Sequence, residues 1–546
     1  MNGPMNEGRN ESIRMRRMPR RRLLILVILI TVTYVTASSS RNRKQGLRLH
    51  QGWQACRVGS DPSRGCDYSN HTAGAIWNVT TLPTTALAVL LEHQQQNESG
   101  ARFSMQDLYT STNLATLPDI ATVGRAYYTL VYQLDLTTHV PDAQPPTCDP
   151  TQSFSSSNSH HRRTILRMAG INYRAHAYLD GIDLTPLNGA HYDGMFHRRA
   201  YDITCGTRFH IVIEPPLHPG TCHFNTSNKS SSCQGQGGNH SLAADGAVPQ
   251  YMLGWDWAQA MPDRATGFWG AVHVETYEYT GSGTTLIALQ DVALQTLSLQ
   301  VQRPPRRSSS EHGGGQTTAI SAVTLRLLVR LENLGEHDRQ RRYEETGKLV
   351  LKADWGETWI FDDVDLSESD FDSELSVHRP ERVRLWWPHG VHVDGQDDHP
   401  HLHTFTLTLY ANNNNNHDLI DETIVQVGIR TVETFLDEIL QGQTFRINGE
   451  KIYLVGGNWI GTDQAHRYSA SIQRYCDELA LHRHAGLNLI RVWGGGTAEQ
   501  DEFYECADKL RLLVYQEFWM TGDNNGRWAG NFSWPLDHEA YLGNIQ

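Results

Sequence analysis

The sequence predicts a multidomain fold: a jelly-roll β-sandwich, an immunoglobulin-like β-sandwich and the start of a (β/α)8 TIM barrel with about three strands. With 546 residues, the chain is too long for one domain, because single cores stop growing at roughly 250–300 residues. Two long blocks carry strand-like runs separated by Gly, Asp and Pro turns. The last block changes to a β-α-β-α-β order, which is typical of a parallel sheet.

The N-terminus combines a basic tail, residues 1–22, with a short apolar run, residues 23–37. The run is short for a membrane-spanning helix, and its basic flank also fits a cleaved signal peptide. We therefore expect a lumenal protein of the secretory pathway, in the Golgi, in a vacuole or lysosome, or outside the cell. It would be held by a single-pass type II anchor at 23–37 or released by cleavage. Residues 38–50 read as a linker.

Glycosylation motifs and cysteines agree with that location. Asn-X-Ser/Thr motifs are N-glycosylation acceptors, and those that follow the apolar run are at Asn70, Asn78, Asn97, Asn225, Asn228, Asn239 and Asn531. Cys56 with Cys66, and Cys222 with Cys233, lie in polar loops where small disulfides can form. Cys476 and Cys506 read as helical core thiols. No His/Cys spacing indicates zinc, so neither a metal nor a cofactor is expected.

The composition narrows the class of protein. The net charge of −13 argues against a nucleic-acid binder, which would normally carry a basic patch. Fourteen tryptophans are many, and their faces suit stacking on sugar rings, although most tryptophans in any protein pack in cores.

Strand patterns place the two sandwiches at 51–282 and 283–430. In the first, the strand-like runs are 127–134, 175–179 and 209–213. In the second, they are 323–331 and 402–409. The acidic run at 362–372 and the asparagines at 412–416 read as loop insertions.

Residues 431–546 carry the parallel pattern. Strands are predicted at 451–455, 487–493 and 512–519, and helices at 469–485 and 502–510. In a (β/α)8 barrel the carboxyl ends of the strands form the active face. Because a barrel needs eight strands, we expect a fragment, a truncated gene model, or a chain that needs a partner to finish the barrel.

These segments resemble glycoside hydrolase family 2, on its β-mannosidase side. The motifs that resemble the start of the family's barrel are 445–449, 456–460, 488–496 and 502–504. Segment 512–523 is similar to the branch of mannosylglycoprotein endo-β-mannosidases. Upstream, Gly254-Trp255-Asp256-Trp257, Gly267-Phe268-Trp269 and the 385–390 motif match in order. The resemblance runs from about Trp77 to the C-terminus.

The resemblance implies a galactose-binding-like first sandwich and retaining hydrolysis of β-mannosidic bonds, in oligosaccharides or in the Man-β-1,4-GlcNAc of the N-glycan core. That chemistry needs two carboxyl groups roughly 5–5.5 Å apart. In the family they lie at the ends of barrel strands four and seven. We therefore expect both catalytic glutamates beyond Gln546, and no catalytic residue on this chain.

The resemblance also assigns supporting roles. Arg491 would hydrogen-bond the nucleophile, and Asp256, beside Trp257, would accept hydrogen bonds from sugar hydroxyls. The further candidates for substrate contacts are Asn458, Trp459, Trp493, Glu517 and Trp519. Each has a structural alternative: an ordinary ion pair for Arg491, a turn cap for Asp256, and packing for the tryptophans. The glycines at 494–496 allow close backbone approach or positive φ.

Two departures from the family pattern stand out: Val427-Gly428-Ile429-Arg430 has two aliphatic residues where the family has Phe, and Leu510-Arg511-Leu512 lacks the usual Gly. The second predicts strain or a shift in that turn. Two alternative functions stay open: a non-catalytic secretory glycan-binding protein, and an exo-β-glucosaminidase-type hydrolase.

Overall fold

The structure is a computed structural model. It describes residues 43–58, 61–66, 76–93, 117–140, 160–187, 193–219, 248, 252, 261–280, 287–302, 319–334, 346–391, 400–413, 416–462, 471–518 and 538–545. Most of these residues lie in β-sheets.

The first sandwich unit contains three antiparallel sheets. Its strands are β1 (Arg43–Arg48), β2 (Trp53–Arg57), β3 (Trp77–Asn78), β4 (Thr84–Thr85), β5 (Leu130–Asp135), β6 (His160–Met168), β7 (Ile171–Asn172), β8 (Arg174–Leu179), β9 (Ile182–Leu184), β10 (Arg199–Asp202), β11 (Arg208–Glu214), β12 (Gly267–Phe268) and β13 (Val272–Thr280). The sheet orders are β1-β13-β6-β10, β3-β2-β5-β11-β8-β9 and β4-β12-β7. The helices are α1 (Ala86–Glu92), α2 (Ile120–Val123) and α3 (Leu136–His139).

The second sandwich unit packs a sheet of order β14-β15-β18 on one of order β17-β16-β19-β20. Its strands are β14 (Ile287–Gln302), β15 (Ala319–Asn333), β16 (Thr346–Ala353), β17 (Thr358–Asp365), β18 (Asp370–Ser376), β19 (His403–Asn413) and β20 (Asn416–Val427). The acidic run at 362–372 is thus not a loop insertion. Its apolar residues alternate with charged ones, so that it enters β17 and β18 with Val364 buried and the charges in solvent.

A small antiparallel sheet leads into the parallel unit. Its strands are β21 (Val432–Asp437), β22 (Gly442–Ile447) and β23 (Glu450–Ile452). The first parallel strand begins only at Gly456, later than the predicted 451–455. The reason is the turn Asn448-Gly449, where both residues have positive φ, because such a pair closes a tight hairpin and pairs β23 with β22.

The parallel unit follows the predicted β-α-β-α-β order. It contains β24 (Gly456–Trp459), α4 (Ile472–His484), β25 (Leu489–Val492), α5 (Asp501–Lys509) and β26 (Leu513–Gln516). The sheet order is β24-β25-β26. A last helix, α6 (His538–Ile545), lies against the first sandwich unit through Asn544.

Each unit has its own buried cluster, and residues of the parallel unit also pack into the clusters of both sandwiches. The first sandwich's core includes Trp53 and Phe268, and Trp493 of the parallel unit packs against it. The second sandwich's core is built around Trp386 and takes in Leu513 of β26. The parallel unit's own cluster is smaller and centres on Tyr475 and Phe503.

The linker prediction for 38–50 is wrong within Arg43–Arg48, which pairs with β13 as an edge strand. The segment is almost entirely polar, without the apolar/polar alternation of a half-buried strand, so the sequence carried no signal for it.

The cysteine predictions divide. The disulfide Cys56–Cys66 is confirmed, with Cα atoms 5.9 Å apart. Cys476 and Cys506 are not free thiols: α4 and α5 pack side by side, bring these Cα atoms to 5.2 Å, and the pair forms a disulfide. Cys222 and Cys233 lie outside the described residues.

The predicted membrane anchor is contradicted. Within the described ranges, no helix is both long and apolar enough to cross a membrane. Residues 23–37, on which that prediction rested, lie outside those ranges.

Candidate functional site

Three side chains meet at the carboxyl ends of the three parallel strands. Arg491 donates from Nε to Oε1 of Glu517 at 2.7 Å, and its Nη2 lies 2.5 Å from the same oxygen. Its Nη1 donates to Oδ1 of Asn458 at 2.8 Å. The backbone N–H of Gly494 donates to Oε2 of Glu517 at 2.7 Å. We call Asn458, Arg491 and Glu517 the polar cluster.

Strand register explains why these residues meet. Asn458 on β24 is the partner of Arg491 on β25, and the N–H of Glu517, just past β26, donates to the carbonyl of Val492 at 3.0 Å. Because neighbouring parallel strands end on the same edge of a sheet, in-register residues gather there. Asn458 is exposed and the other two are partly exposed, so the cluster can contact a solute.

Both oxygens of Glu517 are occupied by donors. A carboxylate that accepts charge-assisted hydrogen bonds from arginine and a bond from a backbone N–H is held in one orientation. Such an arrangement can present an ordered acceptor and the Asn458 amide to sugar hydroxyls, and it places a guanidinium near any further carboxylate that approaches.

Trp493 follows β25 and is half-buried. A Cβ on Gly495 would overlap its ring, so the predicted close backbone approach is found there, whereas none of the three glycines has positive φ. The other side of the indole packs on the first sandwich's core. Gln500, farther along this loop, donates from Nε2 to the carbonyl of Trp269 at 2.8 Å. Residues 493–500, the docking loop, therefore join the cluster to the first sandwich.

Trp459 does not lie with the polar cluster. It is 6% exposed and packs between the sheet and the helices, with its ring centroid 4.9 Å from that of Phe503. Neighbouring residues of a strand point to opposite faces, so Asn458 at the cluster directs Trp459 inward. The prediction that Trp459 lines the sugar pocket is corrected accordingly.

Glu499 is a buried acid that the sequence patterns did not single out. Its Oε1 accepts from Nε1 of Trp459 at 2.8 Å, and its Oε2 accepts from the hydroxyl of Tyr475 at 2.7 Å. Burial raises the pKa of Glu499 to about 7, although these two hydrogen bonds oppose the rise. The sequence did offer one signal for this residue: Glu499 carries a carboxyl that follows a buried strand and the Gly-rich turn at 494–496.

The remaining predicted residues fall outside this geometry. Asp256, Trp257 and Trp519 lie outside the described residues. So do six of the seven glycosylation asparagines: Asn70, Asn97, Asn225, Asn228, Asn239 and Asn531. Asn78 is described, and it is exposed on strand β3.

Arg511 lies in the Leu510-Arg511-Leu512 turn, where the absence of the family's usual Gly predicted strain. Its φ is 62°, in the left-handed region that glycine adopts freely.

Within the described part of the chain, no group of three or more His, Cys, Asp or Glu side chains is placed to bind a metal ion.

Sequence comparison finds relatives among glycosidases. The chain is 29% identical over 507 residues to a mannosylglycoprotein endo-β-mannosidase of Lilium longiflorum, covering 90% of this chain and 45% of that one. It is 27% identical over 360 residues to a β-mannosidase of Capra hircus, covering 60% of this chain and 34% of that one. The chain thus spans less than half the length of these relatives. No protein-family model matches it.

Structure comparison finds the same type of fold. The exo-chitosanase of Amycolatopsis orientalis superposes with a TM-score of 0.54 at 16% identity, over 92% of this chain and 47% of that one. A β-D-mannosidase from Dictyoglomus thermophilum gives 0.50 at 18% identity, over 87% of this chain and 48% of that one. At these identities the likeness concerns the fold alone.

Proposed function

Because this chain is related to the β-mannosidases of glycoside hydrolase family 2, we propose that it forms part of a retaining glycosidase acting on β-mannosidic bonds. The substrate class is the Man-β-1,4-GlcNAc of N-glycan cores or similar oligosaccharides. The observation that carries the proposal is the polar cluster, which lies where three parallel strands end beside the first sandwich.

In this proposal, β24, β25 and β26 are the first three strands of a (β/α)8 barrel, and the cluster forms one wall of the sugar site. Asn458 and Glu517 orient sugar hydroxyls, while Arg491 holds Glu517 and supports the nucleophile. By the resemblance, Asp256, Trp257, Trp493 and Trp519 contribute further sugar contacts.

The proposal assigns neither catalytic carboxylate to Glu517. A general acid must release a proton to the leaving group, but both oxygens of Glu517 are already acceptors, for Arg491 and for the N–H of Gly494. This engagement also favours a second candidate function, glycan binding without turnover, at the same site.

Calorimetric titration of the purified 546-residue chain with Man-β-1,4-GlcNAc tests the site. Arg491→Lys loses the forked geometry that holds Glu517, so we expect affinity to fall by about tenfold or more, or about 1.4 kcal/mol. Arg326→Lys is the matched control: Arg326 makes a similar fork with Asp372 on the second sandwich, at 2.8 and 2.5 Å, and should leave affinity unchanged.

Equal loss in both variants, or no binding by the unaltered chain, would contradict the assigned site. Hydrolysis of the same disaccharide by this chain would contradict the expectation that it carries neither catalytic carboxylate. Tighter binding of GlcN-β-1,4-GlcN would favour the glucosaminidase type.

A further inference from the structure

Glu499 lies in the docking loop, close to the ends of all three parallel strands. It is 6% exposed, and its two carboxyl oxygens face the end of β24 through Trp459 and helix α4 through Tyr475. Few buried carboxyls make both bonds to neutral donors, since a buried charge is usually paired with a cation. Burial disfavours the carboxylate more strongly than the two accepted hydrogen bonds favour it.

The backbone of Glu499 continues the connection toward β26. Its N–H donates to the hydroxyl of Tyr504 at 3.2 Å, and that hydroxyl donates to Oε1 of Gln516 at 2.7 Å. Gln516 donates from Nε2 to the carbonyl of Glu517 at 2.8 Å. One chain of hydrogen bonds therefore links the end of β24, the docking loop and the backbone of a polar-cluster residue.

We propose that Glu499 is the positioning residue of the polar cluster: its uncharged carboxyl fixes the docking loop against β24 and α4, and ionisation of that carboxyl loosens the loop. The carboxyl of Glu499 contacts Trp459 and Tyr475 and not the cluster side chains. Its effect therefore passes through Tyr504, Gln516 and the Gly494 backbone. The proposed sugar site would then be best ordered in mildly acidic solution.

The charged and titratable groups around Glu499 favour the neutral form. Helix α4 presents Tyr475 and Glu478, and the charge of Glu478 raises the pKa of Glu499 further. Helix α5 presents Tyr504. His482 of α4 packs on Trp459, with ring centroids 5.7 Å apart. None of these is a permanent cation that would compensate a carboxylate.

The direction of the pH effect follows from linkage. Since the folded protein raises the pKa of Glu499 from 4.5 to about 7, it binds this proton more tightly than the unfolded chain does. The added stability is complete below about pH 4.5 and is lost as the pH rises through about 7.

Hydrogen exchange of the full chain, without sugar, tests the inference. Backbone protection in peptides covering 493–500 is measured from pH 5.5 to 8 and corrected for intrinsic exchange. We expect the unaltered chain to lose protection by about tenfold or more across this range. Glu499→Gln keeps an acceptor for the Trp459 N–H, and its amide can donate to the Tyr475 hydroxyl once that hydroxyl rotates to accept, so this variant should stay protected at every pH. Glu499→Ala should be poorly protected throughout.

The control is Glu505→Gln, which removes an exposed carboxylate paired with Lys509 on α5 and should reproduce the profile of the unaltered chain. A Glu499→Gln profile that still falls with pH, or full protection of Glu499→Ala at pH 5.5, would overturn the inference. The inference rests on the proposed function only in calling the cluster a sugar site. Because exchange is read without sugar, failure of sugar binding would leave this result standing.

Discussion

Arg511 has a left-handed backbone that an arginine rarely adopts, and its own side chain stabilises that turn. The guanidinium is buried and donates from Nε to the carbonyl of Trp387 at 2.8 Å, and from Nη2 to those of Pro388 and Val391 at 3.0 Å each. Left-handed backbone costs an ordinary residue about 1–2 kcal/mol, whereas each hydrogen bond from a charged group contributes about 1.5–3 kcal/mol. The side-chain bonds outweigh the backbone strain.

We therefore expect Arg511→Gly to be less stable than the unaltered chain by about 2 kcal/mol or more, despite restoring the family's glycine. Arg511→Ala should lose a further 1 kcal/mol or so, because it keeps the backbone strain as well. Urea midpoints followed by tryptophan fluorescence measure both. A glycine variant as stable as the unaltered chain would show that the three carbonyl contacts contribute little.

For single residues, the sequence predicted which polar side chains belong to the candidate site better than it predicted the direction in which each side chain points. Arg491, Asn458 and Glu517 could be named from the resemblance to family 2 glycosidases and from their places at the ends of predicted strands. Trp459 was misplaced because its direction depends on where β24 begins, and the Asn448-Gly449 turn moves that start to Gly456. Glu499 could not be interpreted at all, since its partners Trp459 and Tyr475 lie 40 and 24 residues away in the chain.

Among the elements, helix α6 is attached to the first sandwich unit through Asn544. Asn544 is buried, accepts from the N–H of Phe196 at 3.0 Å, and donates to the carbonyl of Asp193 at 2.9 Å. A Cβ on Gly194 would overlap its amide, so that the glycine is required for this contact. The contact was not predictable, because it joins residues 348 and 351 positions apart.

Asn544→Ala removes the hydrogen bonds to the Phe196 N–H and the Asp193 carbonyl, at about 0.5–1.5 kcal/mol for each bond. We expect limited proteolysis to cut within 538–545 at least several-fold faster. Asn544→Asp, which keeps the acceptor for Phe196 but loses the donor, should be intermediate. Cleavage at an unchanged rate in the alanine variant would mean that apolar contacts alone hold the helix.

On the scale of the whole molecule, one buried cation joins the two sandwiches. Arg167 donates from Nε to Glu275 at 2.6 Å and also contacts Glu332 across the boundary between the units, with its side chain 12% exposed. Arg198 joins the same two units through Asp291 at 3.0 Å, but its side chain is 55% exposed. Breaking a buried ion pair costs much more stability than breaking an exposed one. The two arginines can therefore be compared as a buried and an exposed contact between the same two units.

Arg167→Met should lower stability by about 3–5 kcal/mol, because it takes from Glu275 and Glu332 the buried cation that they share. Arg198→Met should change it by less than about 1 kcal/mol. Thermal unfolding provides the measurement, and equal losses for the two variants would refute the distinction.

The shared cores have a consequence for how the chain is made. The parallel unit completes its packing by placing Trp493 on the first sandwich and Leu513 in the second. Domains generally fold in order as they leave the ribosome, N-terminal first. Both sandwiches are therefore already folded when residues 456–516 leave the ribosome. These residues then pack against surfaces that have already formed. The parallel unit is therefore synthesised last and packed last. This order shortens the time in which its apolar residues Trp493 and Leu513 are exposed to solvent.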